Sequence, residues 1–477
     1  MADDAGAARG VEARFLTGTL FRHVTVMALT SSVGLIAVFA VDLINMVYIA
    51  MLGREELAAA IGYAGAILFF TGSFGIGMAI AVGAIVARAV GMRDAARARA
   101  AATNGLALGV AFGAAFAAAV WAALGPLVTL LGASGVTHAL AVHYLAIITP
   151  SQPLLMVGMI GGAILRSHGD ARRAMWATLA GAGVTLVLDP ILIFGLGLDL
   201  TGAAIASVAS RVVIAAVALR PIVRHHGGFD RPTWPGLRAD LAPVFAIGVP
   251  AILTQVATPV GQAFVTRAVS AYGEAAVAGM AIAGRLTPVA FGVIFALSGA
   301  LGPIIGQNAG AGRMDRVRRA FLDGLLFTAI VSVVVSAILF AFRAPIADLF
   351  NAGGLTRELV FLFCGPLSLL WFFNGALFVA NAACNNLGRP FQSTLLNWGR
   401  QTLGTVPPML WLGGLFGAQG VLVGQALGGV AFGLLAVWLA WRVILRAPPG
   451  AVPARPAATP PPVAAPLSPS VDAGLDR

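Results

Sequence analysis

The chain has 477 residues, 59% of them hydrophobic and only 10% charged. A soluble domain carries about 25% charged residues, so a water-soluble core of this size is excluded. All the positive charge is arginine: thirty Arg against nineteen acids give a net charge of +11. These arginines fall in short segments between apolar runs, a distribution that points to a membrane and away from nucleic acid.

The first residues, MADDAGAARGVEARF, include acids and lack a short apolar stretch ending in small residues, so they are not read as a secretory signal. Twelve apolar spans follow, at about 24–51, 61–88, 101–132, 138–165, 174–197, 201–221, 240–269, 280–309, 319–350, 356–386, 393–413 and 417–445. Each is long enough to cross a hydrocarbon layer of about 30 Å. The expected fold is an all-α membrane protein of twelve transmembrane helices in two pseudo-symmetric six-helix bundles. The domains are a cytoplasmic segment 1–20, an amino-terminal lobe 21–221, a linker 222–239, a carboxy-terminal lobe 240–446, and a disordered Pro/Ala-rich tail 447–477.

Arginine placement sets the orientation. Segments on the side of the termini hold 24 arginines, including Arg166 and Arg400, and those on the other side hold four. Arg211 and Arg285 fall inside spans. The positive-inside rule then puts both termini in the cytoplasm.

The halves repeat. AVGAIVARAVGMRDAARARAA closes span 2, and ALSGALGPIIGQNAGAGRMDRVRRA closes span 8, with Gly91 and Gly310 in register at an offset of 219. AILRSHGDARRAMW matches ANAACNNLGRPFQSTLLNW, with Gly169 and Gly388 again 219 apart. GLDLTGAAIAS parallels GGLFGAQGVLV. Two parallel six-span repeats favour alternating access by rocking one bundle against the other.

Asp42 and Asp189 are the acids that fall clearly within spans. A carboxylate at bilayer depth costs at least about 2.5–3.5 kcal/mol, so it usually faces water and carries function. Asp42 lies roughly 27 Å along span 1 and Asp189 roughly 22 Å along span 5, both in the outer half of one lobe. Asn45 shares the face of Asp42, and Thr185 that of Asp189. Pro190 removes a backbone donor directly after Asp189 and favours a kink. Burial can carry a carboxylate from a pKa of about 4 toward neutrality, so these groups could exchange a proton for a passenger. In the second half, Gln255, Gln262 and Asn374 are the polar counterparts, without a carboxylate; they line a drug cavity or simply pack. Trp371, Phe372 and Phe373 stack on planar cations or face lipid. Arg211 and Arg285 pair with the acids, bind an anionic substrate, or snorkel to the interface.

VDLINMVYIAMLGREELAAA, GAILRSHGDARRAMW, LVLDPILIFGLGLDLTGAAIAS and GQNAGAGRMDRVRRA, in this order, resemble the multidrug and toxic compound extrusion (MATE) transporters over about residues 20–445. The resemblance implies two six-helix lobes and export of organic, often cationic, compounds against inward H⁺ or Na⁺. Asp189 matches the family's fifth-helix LDP acid, and Ser207 a sixth-helix Thr. Thr185 stands where many members have Asn. Asn45 stands where many have Asp, with Asp42 one turn earlier. Members with a sodium site in the second lobe carry acids that this chain lacks, so coupling is expected through the first lobe, by H⁺ ahead of Na⁺.

No catalytic cluster is present, so the chain is not read as an enzyme. Ser167-His168-Gly169-Asp170 has no nucleophile elbow or metal spacing, His225-His226 lies in the linker, and no phosphate-binding GxxxxGK[ST] occurs. Cys364 and Cys384 are roughly 30 Å apart on one helix, too far for a disulfide. No cofactor is expected, nor nucleic acid. The partners are the bilayer of a bacterial inner membrane, a small organic substrate and H⁺ or Na⁺, with a monomer sufficient. The alternative is a lipid-linked precursor flippase on a related fold.

Overall fold

A computed structural model describes residues 12–447; residues 1–11 and the tail from 448 lie outside the described residues. Every regular element among the described residues is helical. In lipid each backbone polar group must be satisfied within the protein, and an apolar helix does this by itself.

The spans are α1 Leu20–Met51, α2 Glu55–Gly91, α3 Ala95–Ala122, α4 Gly135–Ser167, α5 Ala171–Gly195, α6 Asp199–His225 and α7 Trp234–Ser270. Then come α8 at 274–310, interrupted at Phe291, α9 Met314–Ala341 and α10 Gly354–Asn386. The last apolar stretch, Pro390–Arg446, is 57 residues long and breaks at Gly417 (φ 61°, ψ −144°). It therefore forms two spans, α11 at 390–416 and α12 at 418–446, and the total among the described residues is twelve, as expected.

The duplication is written into the backbone. Residues with positive φ recur at offsets of 219 or 220: Gly53 and Gly273, Arg93 and Gly312, Gly132 and Asn351, Gly135 and Gly354, Gly169 and Gly388, Gly197 and Gly417. Two short helices, Leu124–Leu130 and Arg343–Leu349, are also 219 apart. Gly169 and Gly388, at φ 80° and 77°, end α4 and α10 in a conformation that a side chain would strain.

Leu20 and Val24 at the start of α1 share a core with Ala440 and Ile444 near the end of α12, so both ends lie on one face of the bundle. On this terminal face, helices α3, α5 and α7 begin with side-chain caps: Asp94 accepts from the Arg97 amide, Asp170 from Arg173 and Thr233 from Gly236. The lobes meet where α1 packs along α8 and α2 along α7.

The terminal face is sealed. A short turn, Arg14–Leu16, buries Phe15 at 2% exposure. The Phe15 amide donates to Gln307 Oε1 (3.0 Å), and its carbonyl accepts from Asn308 (3.2 Å) and Arg316 (2.9 Å) of the second lobe. Gln307 donates onward to the Ser167 carbonyl of the first lobe at 2.8 Å. The start of α7 is fastened to α3 through Arg97, whose guanidinium grips both oxygens of Asp240 at 2.9 and 2.6 Å.

Candidate functional site

The first lobe has one apolar cluster toward the terminal face, around Met78, Ile160 and Ile164, and a second toward the far face, around Leu57, Tyr144, Leu145 and Ile193. The expected carboxylates belong to the far half. Asp189 is 1% exposed, and its Oδ1 is enclosed without a hydrogen-bond partner. Asp42 is exposed on α1. One turn on, the Asn45 Oδ1 is also enclosed and unpartnered.

Tyr144 of α4 connects these groups. It is 5% exposed, its phenol interacts with the Ser207 hydroxyl, and the charges of Arg211, Asp189 and Asp42 all reach it. Tyr144 and Ser207 thus join α4 to α6 in the neighbourhood of the two acids. Reading the sequence missed Tyr144, because one tyrosine in an apolar run carries no spacing signal; only its position opposite Ser207 marks it.

Thr185, Pro190 and Arg211 flank these groups. Thr185 donates to the Gly181 carbonyl of its own helix at 3.3 Å, so its hydroxyl is turned to the backbone. Pro190 is followed at once by a π-helical turn, Ile191–Gly195, the kind of local widening common at functional sites. Arg211 does not snorkel: it donates to the Ile148 carbonyl (3.1 Å) and to Ser151 Oγ (2.9 Å). That region of α4 is irregular, with a 3₁₀ turn at Thr149–Ser151. Pro150 cannot donate to Ala146, whose carbonyl accepts from Trp121 instead.

In the second lobe the amides are separated. Gln262 accepts from Gln425 at 3.4 Å, and Asn374 accepts from Arg400 at 2.8 Å. Gln255 is half-buried. Trp371, half-buried, stacks on Phe291 at 4.8 Å, and Phe372 and Phe373 meet edge to face. Arg285 lies across from α1, with Nη2 3.9 Å from the Met46 sulfur. Cys364 and Cys384 are free and buried.

Two arginines assigned to interhelical segments sit inside helices. Arg400 starts a π-helical turn within α11. Arg166 is in the last turn of α4, and its side chain folds back along the helix, as helical side chains do. A Cβ on Gly162 would lie 3.3 Å from its Nη1, and one on Gly299 of α8 would lie 3.7 Å from its Nε.

The MatE family model matches residues 31–191 and 250–407. A FAD transporter from Shewanella oneidensis is 29% identical over 436 residues, covering 90% of this chain and 96% of that protein. The multidrug export protein MepA of Staphylococcus aureus is 23% identical over 420 residues, 86% of this chain and 90% of its own. Among solved structures, the Vibrio cholerae MATE transporter VcmN superposes with a TM-score of 0.85 at 23% identity, covering 90% of this chain and 97% of its own. An outward-facing multidrug resistance MATE transporter of the MOP superfamily superposes with a TM-score of 0.85 at 21% identity, covering 92% and 98%.

Proposed function

The chain belongs to the MatE family of membrane transporters that export organic compounds, and from that premise we propose that it is a secondary antiporter coupled through Asp42 and Asp189. Its driving ion is H⁺ in preference to Na⁺. Its termini face the cytoplasm of a bacterial inner membrane, on the arginine-rich side, and it works as a monomer.

The observation that carries this reading is Asp189: a carboxyl 1% exposed whose Oδ1 has no partner. An orphaned buried acceptor is costly, and a transiently bound proton or cation would relieve that cost. Asp42 and the Tyr144–Ser207 pair lie in the same electrostatic neighbourhood. An ion entering from the far face would compete for these acids with the passenger. Membrane potential adds about 2.3 kcal/mol per charge per 100 mV to inward ion flow. The passenger is an amphiphilic organic compound, in keeping with relatives named as a FAD transporter and a multidrug export protein.

Proteoliposomes with imposed ΔpH or ΔNa⁺ test the reading. A fluorescent cationic dye, an amphiphilic organic anion and FAD serve as passengers. Acid outside should drive export of at least one of them by the wild type. Asp189→Asn should remove that drive while leaving a folded, monodisperse protein, and Asp42→Asn should weaken it. Undiminished ΔpH-driven export by Asp189→Asn would overturn the coupling site, and drive by ΔNa⁺ alone would change the ion.

A second reading, flipping of a lipid-linked precursor, is favoured by the guanidinium groups of Arg166 and Arg400 inside the bundle. Export of water-soluble compounds from lipid-only vesicles would set it aside.

A further inference from the structure

Arg400 lies ten residues into α11, roughly 15 Å from the start of that helix at 1.5 Å per residue. This is mid-membrane, where an ionised side chain marks a functional site by default. Its partner is an amide: Nη1 donates to Asn374 Oδ1 of α10 at 2.8 Å. Among the described residues no carboxylate pairs with it. Within the second lobe the described ion pairs are Arg319–Asp323 and Arg357–Asp348, both near helix ends, and Glu358 accepts from Gln419.

The bond to Asn374 occupies one end of the guanidinium. The edge formed by Nε and Nη2 carries no hydrogen bond, and Nε is enclosed without a partner. Arg400 itself is half-buried. Two parallel N–H groups on a planar fork are the geometry that binds a carboxylate or phosphate by two oxygens. The surroundings are polar but uncharged: Asn397 donates to Asn381 at 3.2 Å between the same two helices. The π-helical turn Arg400–Gly404 begins at this residue, and Phe432 packs against Gly399 and Gly404 on either side of it.

We propose that Arg400, held by Asn374, is an oxyanion-recognition site in the carboxy-terminal lobe that binds the acidic group, phosphate or carboxylate, of the exported compound. The lobes then divide the labour. Acids of the first lobe exchange the coupling ion for the passenger's basic or polar end, and a guanidinium of the second takes its negative end. The division rests on the antiport reading given above, but the binding step does not depend on a gradient. A neutral passenger would leave the fork empty and this half-buried cation without a counter-charge.

The test is equilibrium binding to the purified full chain in nanodiscs, with no gradient imposed. The probes are two matched pairs: 4-methylumbelliferyl phosphate against 4-methylumbelliferone, and pyrenebutyrate against pyrenebutanol. The wild type should bind at least one acidic probe about tenfold or more tighter than its neutral partner. Arg400→Gln should abolish that preference while neutral binding persists. Arg400→Lys, which keeps charge without the fork, should retain part of it. If Arg400→Gln fails to fold, Asn374→Ala, which leaves the guanidinium in place but unanchored, should lower the preference several-fold. A wild type without preference for either acidic probe, or a preference unchanged in the Arg400 variants, would overturn the site. Because no ion gradient enters the measurement, loss of coupled transport in Asp189→Asn leaves this outcome readable by itself.

Discussion

Gly91 and Gly310 cross at the terminal-face ends of α2 and α8, each seated on the backbone of the other helix. A Cβ on Gly91 would stand 2.0 Å from the Gln307 carbonyl oxygen, and one on Gly310 would stand 2.2 Å from that of Arg88. Arg88 and Gln307 are themselves 219 apart, so the two contacts are copies of one contact about the pseudo-symmetry axis. The crossing is where the lobes close this face.

Gly91→Val should force the crossing apart. Overpacking costs about 1–3 kcal/mol, enough to shift the equilibrium roughly tenfold toward a form open on the terminal face. Spin labels at Met92 and Ala311 should show a longer distance, and Gly310→Val should give the same change. An unaltered distance distribution in both variants would remove the glycine crossing from the gate.

Phe15 closes the same face from the amino-terminal side. Phe15→Ala should lose about 3–5 kcal/mol of packing at a site 2% exposed. The turn Arg14–Leu16 should then become sensitive to protease, and the Met92–Ala311 distance should lengthen as it does in the glycine variants. Protease resistance equal to the wild type would mean that the carbonyl bonds to Arg316 hold the turn unaided.

Tyr144→Phe removes the hydroxyl that faces Ser207. A hydrogen bond contributes about 0.5–1.5 kcal/mol, so the effect should be a displaced pH profile of export, with protein yield unchanged. A profile superimposable on that of the wild type would take Tyr144 out of the coupling network.

His168 carries a pH dependence of stability on the terminal face. Burial, at 8% exposure, pushes its imidazole down to about 4 from its ordinary 6.5; the nearby His226 adds to this, and the Ile164 carbonyl and Asp170 oppose it. Below about 6.5 the unfolded chain takes up a proton that folded His168 refuses, so stability falls with pH down to about 4. Asp170 next to it behaves differently. Burial alone would raise its carboxyl, but bonds from His226 and Arg173 outweigh that and hold it well below the carboxylate range. Its contribution is present at neutral pH and persists until strongly acidic conditions. His168→Gln should therefore reduce the loss of melting temperature between about pH 7 and about pH 5 by about 2 °C or more. An equal loss in both proteins would refute the assignment.

The sequence alone determined the membrane fold, the number of spans and the duplication. These depend on local properties: run length, the hydropathy of each run, and landmarks repeated at a constant spacing. It also singled out Asp42 and Asp189, since an acid in an apolar run stands out without any partner being known. Tertiary structure decided what those residues meet. Tyr144 is ordinary in sequence and becomes central only because α4 and α6 bring it to Ser207. Arg211 reads as a charge within a span and Arg400 as one of an interhelical segment until the breaks in α4 and α11 are placed. Arg211 then proves to be bound to freed backbone, whereas Arg400 retains an unpartnered edge. Hydropathy is a property of one segment and pairing a property of two, so no reading of a single strand of text could separate these two arginines.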